Sequence, residues 1–260
     1  MTTPDPRVTA EYLKKAAELT RQVKQRTYDL MHILPGAHLL DVGCGPGIDT
    51  IPLAKLVGGD GSVVGIDSDR EMLAQADAAA RENGVQQNVQ HRHGDVSGMP
   101  FEDGLFDACR AERLLQVLPD NYDPKAVLAE MIRVVKRSGR VVIADSDWAT
   151  ASVDFSDPML ERRLLTFFAD EVRPNGYAGR QLYGLVRRSG LSDVTCEVIP
   201  IVQTQLSQTP FGNWLREEAL KAGIASEDEL NTWRDELEKR SEKNEFFCSV
   251  NMVVAAGKKP

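Results

Sequence analysis

The chain has 260 residues, 42% of them hydrophobic and 27% charged, which suits one large globular core and excludes a disordered or fibrous chain. A net charge of −8 with no dense Lys/Arg run argues against nucleic acid as a partner. No stretch nears the roughly 20 apolar residues of a membrane span, the N-terminus lacks a signal-peptide core, and four scattered cysteines form no CxxC pair, so a cytoplasmic protein without a zinc knuckle or redox pair is expected.

In chain order, Tyr12, Leu13, Ala16, Leu19, Val23, Tyr28 and Met31 recur near helical spacing and predict one helix over 8–33, capped by Thr9 and stopped by Pro35-Gly36. HLLDV (38–42) reads as a buried strand, with a helix from Ile48 to Leu56 behind it. SVVGID (62–67) is a second strand, Arg70 to Asn83 a helix, VQHRH (89–93) a third strand and LFDACR (105–110) a fourth. A helix from Pro124 to Lys136, closed by Ser138-Gly139, leads into a fifth strand, RVVIAD (140–145). This alternation predicts an α/β fold with a parallel sheet, helices on both faces and ligands at the C-terminal strand edge.

Beyond residue 146 the rhythm changes. Helical segments near 157–172 and 179–189 precede a strand, VTCEVI (194–199). Helices near 209–222 and 226–243 precede FFCSVNMVVAAGK (246–258), which alternates as a long last strand. The expected whole is a Rossmann-like, seven-stranded, mostly parallel sheet with an antiparallel last strand and a helical cap. Its parts are an N-terminal helical lid (1–36), a ligand-binding core (37–147), cap insertions around the sixth strand (148–245) and the final strand (246–260), in one folded unit.

The stretch LLDVGCGPGIDT (39–50) carries Gly43, Gly45 and Gly47, a G-x-G-x-G loop rather than G-x-G-x-x-G. Asp41 and Asp49 flank it and would repel a pyrophosphate. They suit a ligand with positive charge, and S-adenosylmethionine has a sulfonium, an ammonium and no phosphate. The glycines let the backbone turn and approach a ligand closely. Asp67, at the end of the second strand, can accept from both ribose hydroxyls. Gly94, Asp95 and Val96 follow the third strand, where a carboxylate can take the adenine amino group and Val96, with Ile66 or Met72, can flank the ring. Asp49 has two readings, helix cap or cofactor contact.

On LLDVGCGPG, VVGIDSD, HGDVSGMPFEDGLFD and AEMIRVVKRSGRVVIAD, the chain resembles the class I S-adenosylmethionine-dependent methyltransferases, nearest the ubiquinone/menaquinone biosynthesis group. The resemblance covers 37–147 and implies a small-molecule methyltransferase that yields S-adenosylhomocysteine. It implies cofactor contacts at Asp41, Gly43, Gly45, Gly47, Asp67, Ser68, Met72, Gly94, Asp95, Val96, Arg110 and Gln116. Where relatives often place a histidine just past Gln116, this chain has Val117.

His91 and His93 are expected to be structural, and His32 and His38 are not favoured as bases. Asp147, Tyr12 and Tyr28 are the candidates should the acceptor need to lose a proton. Phe155, Phe167, Phe168, Tyr177, Tyr183, Phe211 and Trp214 gather in the cap; each taken singly reads as core, and together they point to an apolar or aromatic acceptor. Arg173 and Arg180 read as solvated. Residues 227–243 read as an exposed amphipathic helix with Leu230, Trp233 and Leu237 inward. No metal-ligand spacing is present. The expected partner is a small methyl acceptor, to a monomer or homodimer. The rival readings are a non-catalytic S-adenosylmethionine-binding protein, a methyltransferase acting on peptide or protein, and a nicotinamide-dependent oxidoreductase.

Overall fold

The computed structural model describes residues 9–119 and 121–260; residues 1–8 of the expected lid lie outside them. The N-terminal segment forms two helices, α1 (Ala10–Leu19) and α2 (Arg21–Met31), instead of the single helix expected. Thr9 caps α1 by accepting from the Tyr12 N–H. The break falls at Thr20, whose hydroxyl donates back to the Ala16 carbonyl, a bond that competes with the helical ladder and bends it.

Strands β1 (His38–Val42), β2 (Ser62–Asp67) and β3 (Val89–His93) lie where the apolar runs place them. They alternate with α3 (Thr50–Val57) and α4 (Arg70–Glu82). β4 (Phe106–Glu112) is followed by α5 (Pro124–Val134) and β5 (Val135–Val153). β5 has 19 residues, far longer than the six expected, because both its ends find partners. Val135 pairs with Phe106 at one end, and Ser152 and Val153 pair with the last strand at the other, across a register shift. A division of the chain at 147/148 would therefore cut through a continuous strand.

The cap contains α6 (Pro158–Phe167), α7 (Ala178–Arg188), β6 (Ser192–Gln203), α8 (Asn213–Lys221) and α9 (Glu227–Glu242). A π-helical turn, Phe168–Val172, extends α6. β7 (Cys248–Lys258) closes the sheet, whose order is β3-β2-β1-β4-β5-β7-β6. β7 runs antiparallel to both its neighbours, and β1 to β5 pair in parallel. The order reverses beside β1, so the loops after β1 and β4 open at the switch point where such sheets bind ligands.

Strand alternation splits the core into two layers. Leu39, Val63, Ala108 and Val142 meet Val23 and Leu30 of α2 and Leu53 of α3 on one face. Leu40, Cys109 and Ile143 meet Met131 of α5 and Leu182 of α7 on the other. α2 is thus anchored on the sheet, whereas α1 buries no residue. Leu230, Trp233 and Leu237 of α9 point inward as expected, and the Trp233 indole donates to the Phe211 carbonyl. No described helix is long and apolar enough to cross a membrane.

Candidate active site

The loop after β1 runs through Gly43, Gly45 and Gly47 with φ of 73°, 51° and 78°, the left-handed region where a side chain is strained. A Cβ at Gly47 would lie 2.9 Å from Cβ of Ala76 on α4, so the loop must stay bare to pack there. The Gly43 and Cys44 N–H groups donate to the Ile66 carbonyl, and the Gly94 N–H donates to the Asp67 carbonyl. These bonds tie the ends of β1, β2 and β3 into one rim.

Asp67 fastens that rim. Its carboxylate accepts from the Gly45 N–H at 2.8 Å and the Asp69 N–H at 2.9 Å. Burial raises its pKa, and those N–H groups pull it back. Each carboxylate oxygen retains acceptor capacity for a ligand hydroxyl. Asp95 is exposed past β3, accepts from Ser97 and from the Tyr122 hydroxyl at 2.7 Å, and is held below the usual carboxylate range by those bonds. Val96 and Ile66 are buried beside it, Met72 is partly covered at the start of α4, and Ser68 is exposed.

Beneath the glycine loop lies a buried charge cluster. Asp41 and Arg110 are register neighbours on β1 and β4 and point to the α2 face. The Arg110 guanidinium donates to Asp41 at 2.9 Å, to Glu112 at 2.5 Å and through Nε to the Thr27 hydroxyl at 3.2 Å, and lies 3.1 Å from Asp49. From α2, Lys24 donates to Asp49 at 2.7 Å and to Glu112 at 2.9 Å, and Tyr28 donates to Asp49 at 2.5 Å. Three carboxylates thus face two cations. Burial raises the pKa of Asp41 despite Arg110. Burial alone would also raise Asp49, but Arg110, Lys24 and the Tyr28 hydroxyl hold it well below the usual range.

Several expectations change here. Asp49 occupies the N-cap position of α3 but makes no side-chain cap bond, because its carboxylate is turned to Lys24 and Arg110. Arg110 is only 1% exposed, and all three of its nitrogens are engaged by Asp41, Glu112 and Thr27, so it supports the loop from below. Gln116 is buried, and its side-chain oxygen accepts from the Trp148 indole at 2.5 Å, which leaves its amide nitrogen as the group that can face a ligand. Tyr28 donates its proton to Asp49, and burial beside that acid raises its pKa, the opposite of what a base needs. Lys24, Thr27 and Glu112 were missed. The signal was present: Lys24 and Thr27 are polar residues on the apolar stripe of α2, and Glu112 shares the strand face of Arg110.

At the end of β5, Asp145 accepts from the Leu115, Gln116 and Ser146 N–H groups. Asp147 accepts from Arg180 at 2.7 Å through one oxygen, while its buried Oδ1 has no hydrogen-bond partner among the described residues. Trp148, Phe168, Phe211 and Trp214 form edge-to-face contacts, and the Arg173 guanidinium lies 4.5–5.2 Å from three of these rings. Arg173 is therefore buried among aromatics, not solvated, and Phe155, Phe167, Phe168 and Phe211 are core. α1 spans this wall and the glycine loop: Tyr12 meets the Trp214 ring edge-on at 6.4 Å, and a Cβ on Gly45 would sit 3.7 Å from Leu13. His91 is structural as expected, bonded to Thr50 and Asp77.

Burial pushes the Asp145 carboxyl up to about 7, against three N–H groups and the Arg113 charge. Between about pH 4 and 7 the folded chain then holds a proton that the unfolded chain has released, so stability falls as pH rises through that window. The slope from this group is at most about 1.4 kcal/mol per pH unit. Asp145→Asn removes the titration. Urea denaturation from pH 5 to 8 is expected to show a shallower decline in the variant; an unchanged slope would mean that Asp145 stays ionised.

A profile of the methyltransferase domain family matches residues 33–176. The chain is 34% identical, over 94% of its length and 69% of the relative's, to an uncharacterized 37.1 kDa protein in transposon TN4556 of Streptomyces fradiae. It is 37% identical to a demethylmenaquinone methyltransferase of Bacillus cytotoxicus over 49% of this chain, and spans about half (52%) of that relative. A solved geranyl diphosphate C-methyltransferase from Streptomyces coelicolor, in complex with Mg2+, geranyl-S-thiolodiphosphate and S-adenosyl-L-homocysteine, shares the fold at TM-score 0.59 and 17% identity, over 99% of this chain and 83% of that one. With the matched domain spanning the glycine loop, Asp67, Asp95 and the end of β5, this chain belongs to the methyltransferase domain family.

Proposed function

We propose that the protein moves the methyl group of S-adenosylmethionine to a small organic acceptor, releasing S-adenosylhomocysteine. The observation that carries this reading is the sign of the charge around the glycine loop. Asp67 and Asp95 line the rim, and beneath it Asp41, Asp49 and Glu112 outnumber Arg110 and Lys24 by one. Such a site favours hydroxyls, an amino group and positive charge, and repels a pyrophosphate. The donor set therefore fits S-adenosylmethionine better than a dinucleotide.

Bound there, S-adenosylmethionine supplies an electrophilic methyl carbon that an acceptor displaces in line from sulfur. Asp67 takes the ribose hydroxyls, with Ser68 beside it. Gly94, Asp95, Val96 and Met72 enclose the adenine. Gly43, Gly45 and Gly47 allow close approach, and Asp41 acts through its bond to Arg110. The chain's main contribution is alignment and exclusion of water. α1 serves as the lid, because it touches both the loop and the aromatic wall while burying nothing of its own. Trp148, Trp214 and Tyr12 favour an apolar or aromatic acceptor. Where that acceptor must lose a proton, Asp147 is the base, since its Oδ1 is buried and unpartnered among the described residues. The setting is cytoplasmic, in keeping with four free cysteines, three of them buried.

The test is incubation with methyl-labelled S-adenosylmethionine and a panel of phenols, quinols, amines and enols. Labelled small product with matching S-adenosylhomocysteine is expected. Cofactor binding with no transfer to any class would favour the non-catalytic reading, and label in added protein would favour a peptide acceptor.

A further inference from the structure

At the opposite, N-terminal edge of the sheet lies a cleft of about 720 Å³. It opens between the turn after α2, the starts of β1 and β4, the beginning of β5 and the end of β7. The charges lining it are Lys136, Arg137, Arg140 and Lys258 against Asp107 and Asp193. Two positive charges thus remain in excess here, on a chain whose net charge is −8. Lys136 and Asp107 satisfy each other at 2.7 Å, which leaves the other cations to be explained.

Arg140 is the informative one. It is 8% exposed, and its Nε donates to the Leu30 carbonyl at the end of α2 at 3.1 Å. Among the described residues, its two terminal nitrogens make no hydrogen bond and it has no acidic partner. Directly opposite on β7, in the antiparallel register, stands Lys258, which is also without an ion pair among the described residues. Opposed residues of such a pair share a face of the sheet. Two like charges side by side, one of them nine-tenths buried, cost free energy until an anion joins them.

We propose that this cleft is an anion site, in which a phosphate-type oxyanion is held by the free edge of the Arg140 guanidinium and by the Lys258 ammonium. The planar fork of Arg140 can engage two oxygens of one tetrahedral anion, and Lys258 adds a point charge beside it. Exposed Arg137 stands at the mouth. The site is separate from the glycine loop, which lies at the other end of β1, and does not depend on what the active site binds.

Inorganic phosphate is the probe, titrated into the full chain at constant ionic strength with chloride as the control. Amide NMR is expected to show saturable shifts at residues 36–40 and 136–140, together with the Arg140 Nε–H. Arg140→Met should weaken that binding about tenfold or more. Lys258→Met, on a strand residue only partly buried, should weaken it less and serves as the second variant should the first fold poorly. Asp67→Ala should leave it unchanged, which separates this site from the proposed methyl-donor site. Absence of saturable shifts, or equal phosphate affinity in wild type and both cleft variants, would overturn the proposal.

Discussion

Arg110→Met is expected to cost about 3–5 kcal/mol of folding stability, the range seen when one partner of a buried ion pair is removed. The side chain is 1% exposed and is the cation shared by Asp41, Asp49 and Glu112. Without it, three buried carboxylates answer to Lys24 alone. They would then bind protons more readily in the folded chain than in the unfolded one. The variant should accordingly lose more stability at pH 8 than at pH 5.5, because protonation relieves the excess charge at the lower pH. Arg110→Lys should recover only part of the loss, since an ammonium cannot reproduce a fork that meets several carboxylates. Urea denaturation at the two pH values measures all three effects. A cost below about 1 kcal/mol at both would mean that the cluster is solvated in solution.

The second large effect is on ligand binding. Asp67→Ala is expected to weaken S-adenosylmethionine binding about a hundredfold or more, the loss of two hydrogen bonds to a charged acceptor. The same change orphans the Gly45 and Asp69 N–H groups, so a stability loss of about 1–3 kcal/mol should accompany it. Asp67→Asn is the milder variant. It keeps one carbonyl oxygen for either the Gly45 or the Asp69 N–H, sets an NH2 donor against the other, and loses half of the acceptor capacity toward the ribose. A smaller stability loss than in Asp67→Ala, with binding still clearly weakened, would place Asp67 in contact with the ligand. Equal binding in all three proteins would restrict it to a structural role.

Much of the fold was legible because apolar runs and glycine turns are local signals. β1, β2 and β3 fall on the residues that HLLDV, SVVGID and VQHRH mark out. The break at Thr20 and the length of β5 were not legible, since both depend on partners distant in sequence. Thr20 lies within reach of Glu112, and the far half of β5 exists because β7 pairs with it. The rim of glycines and acids could be read from spacing, for those residues sit at strand ends. The layer below could not. An arginine in an apolar strand says only that a counter-charge exists, and here it comes from β1, from the loop before α3, and from its own strand two residues on. Arg173 shows the same limit: its burial rests on Trp148, Phe168 and Trp214, drawn from three separate elements.

The reading of the glycine loop stands or falls on the charge of its ligand. Calorimetric titration of the full chain with S-adenosylmethionine, with NAD in a parallel cell, measures this directly. Saturable binding of S-adenosylmethionine with none of NAD is the result predicted by carboxylates that outnumber cations at the loop. Binding of NAD, with S-adenosylmethionine inert, would contradict it and return the site to dinucleotide chemistry.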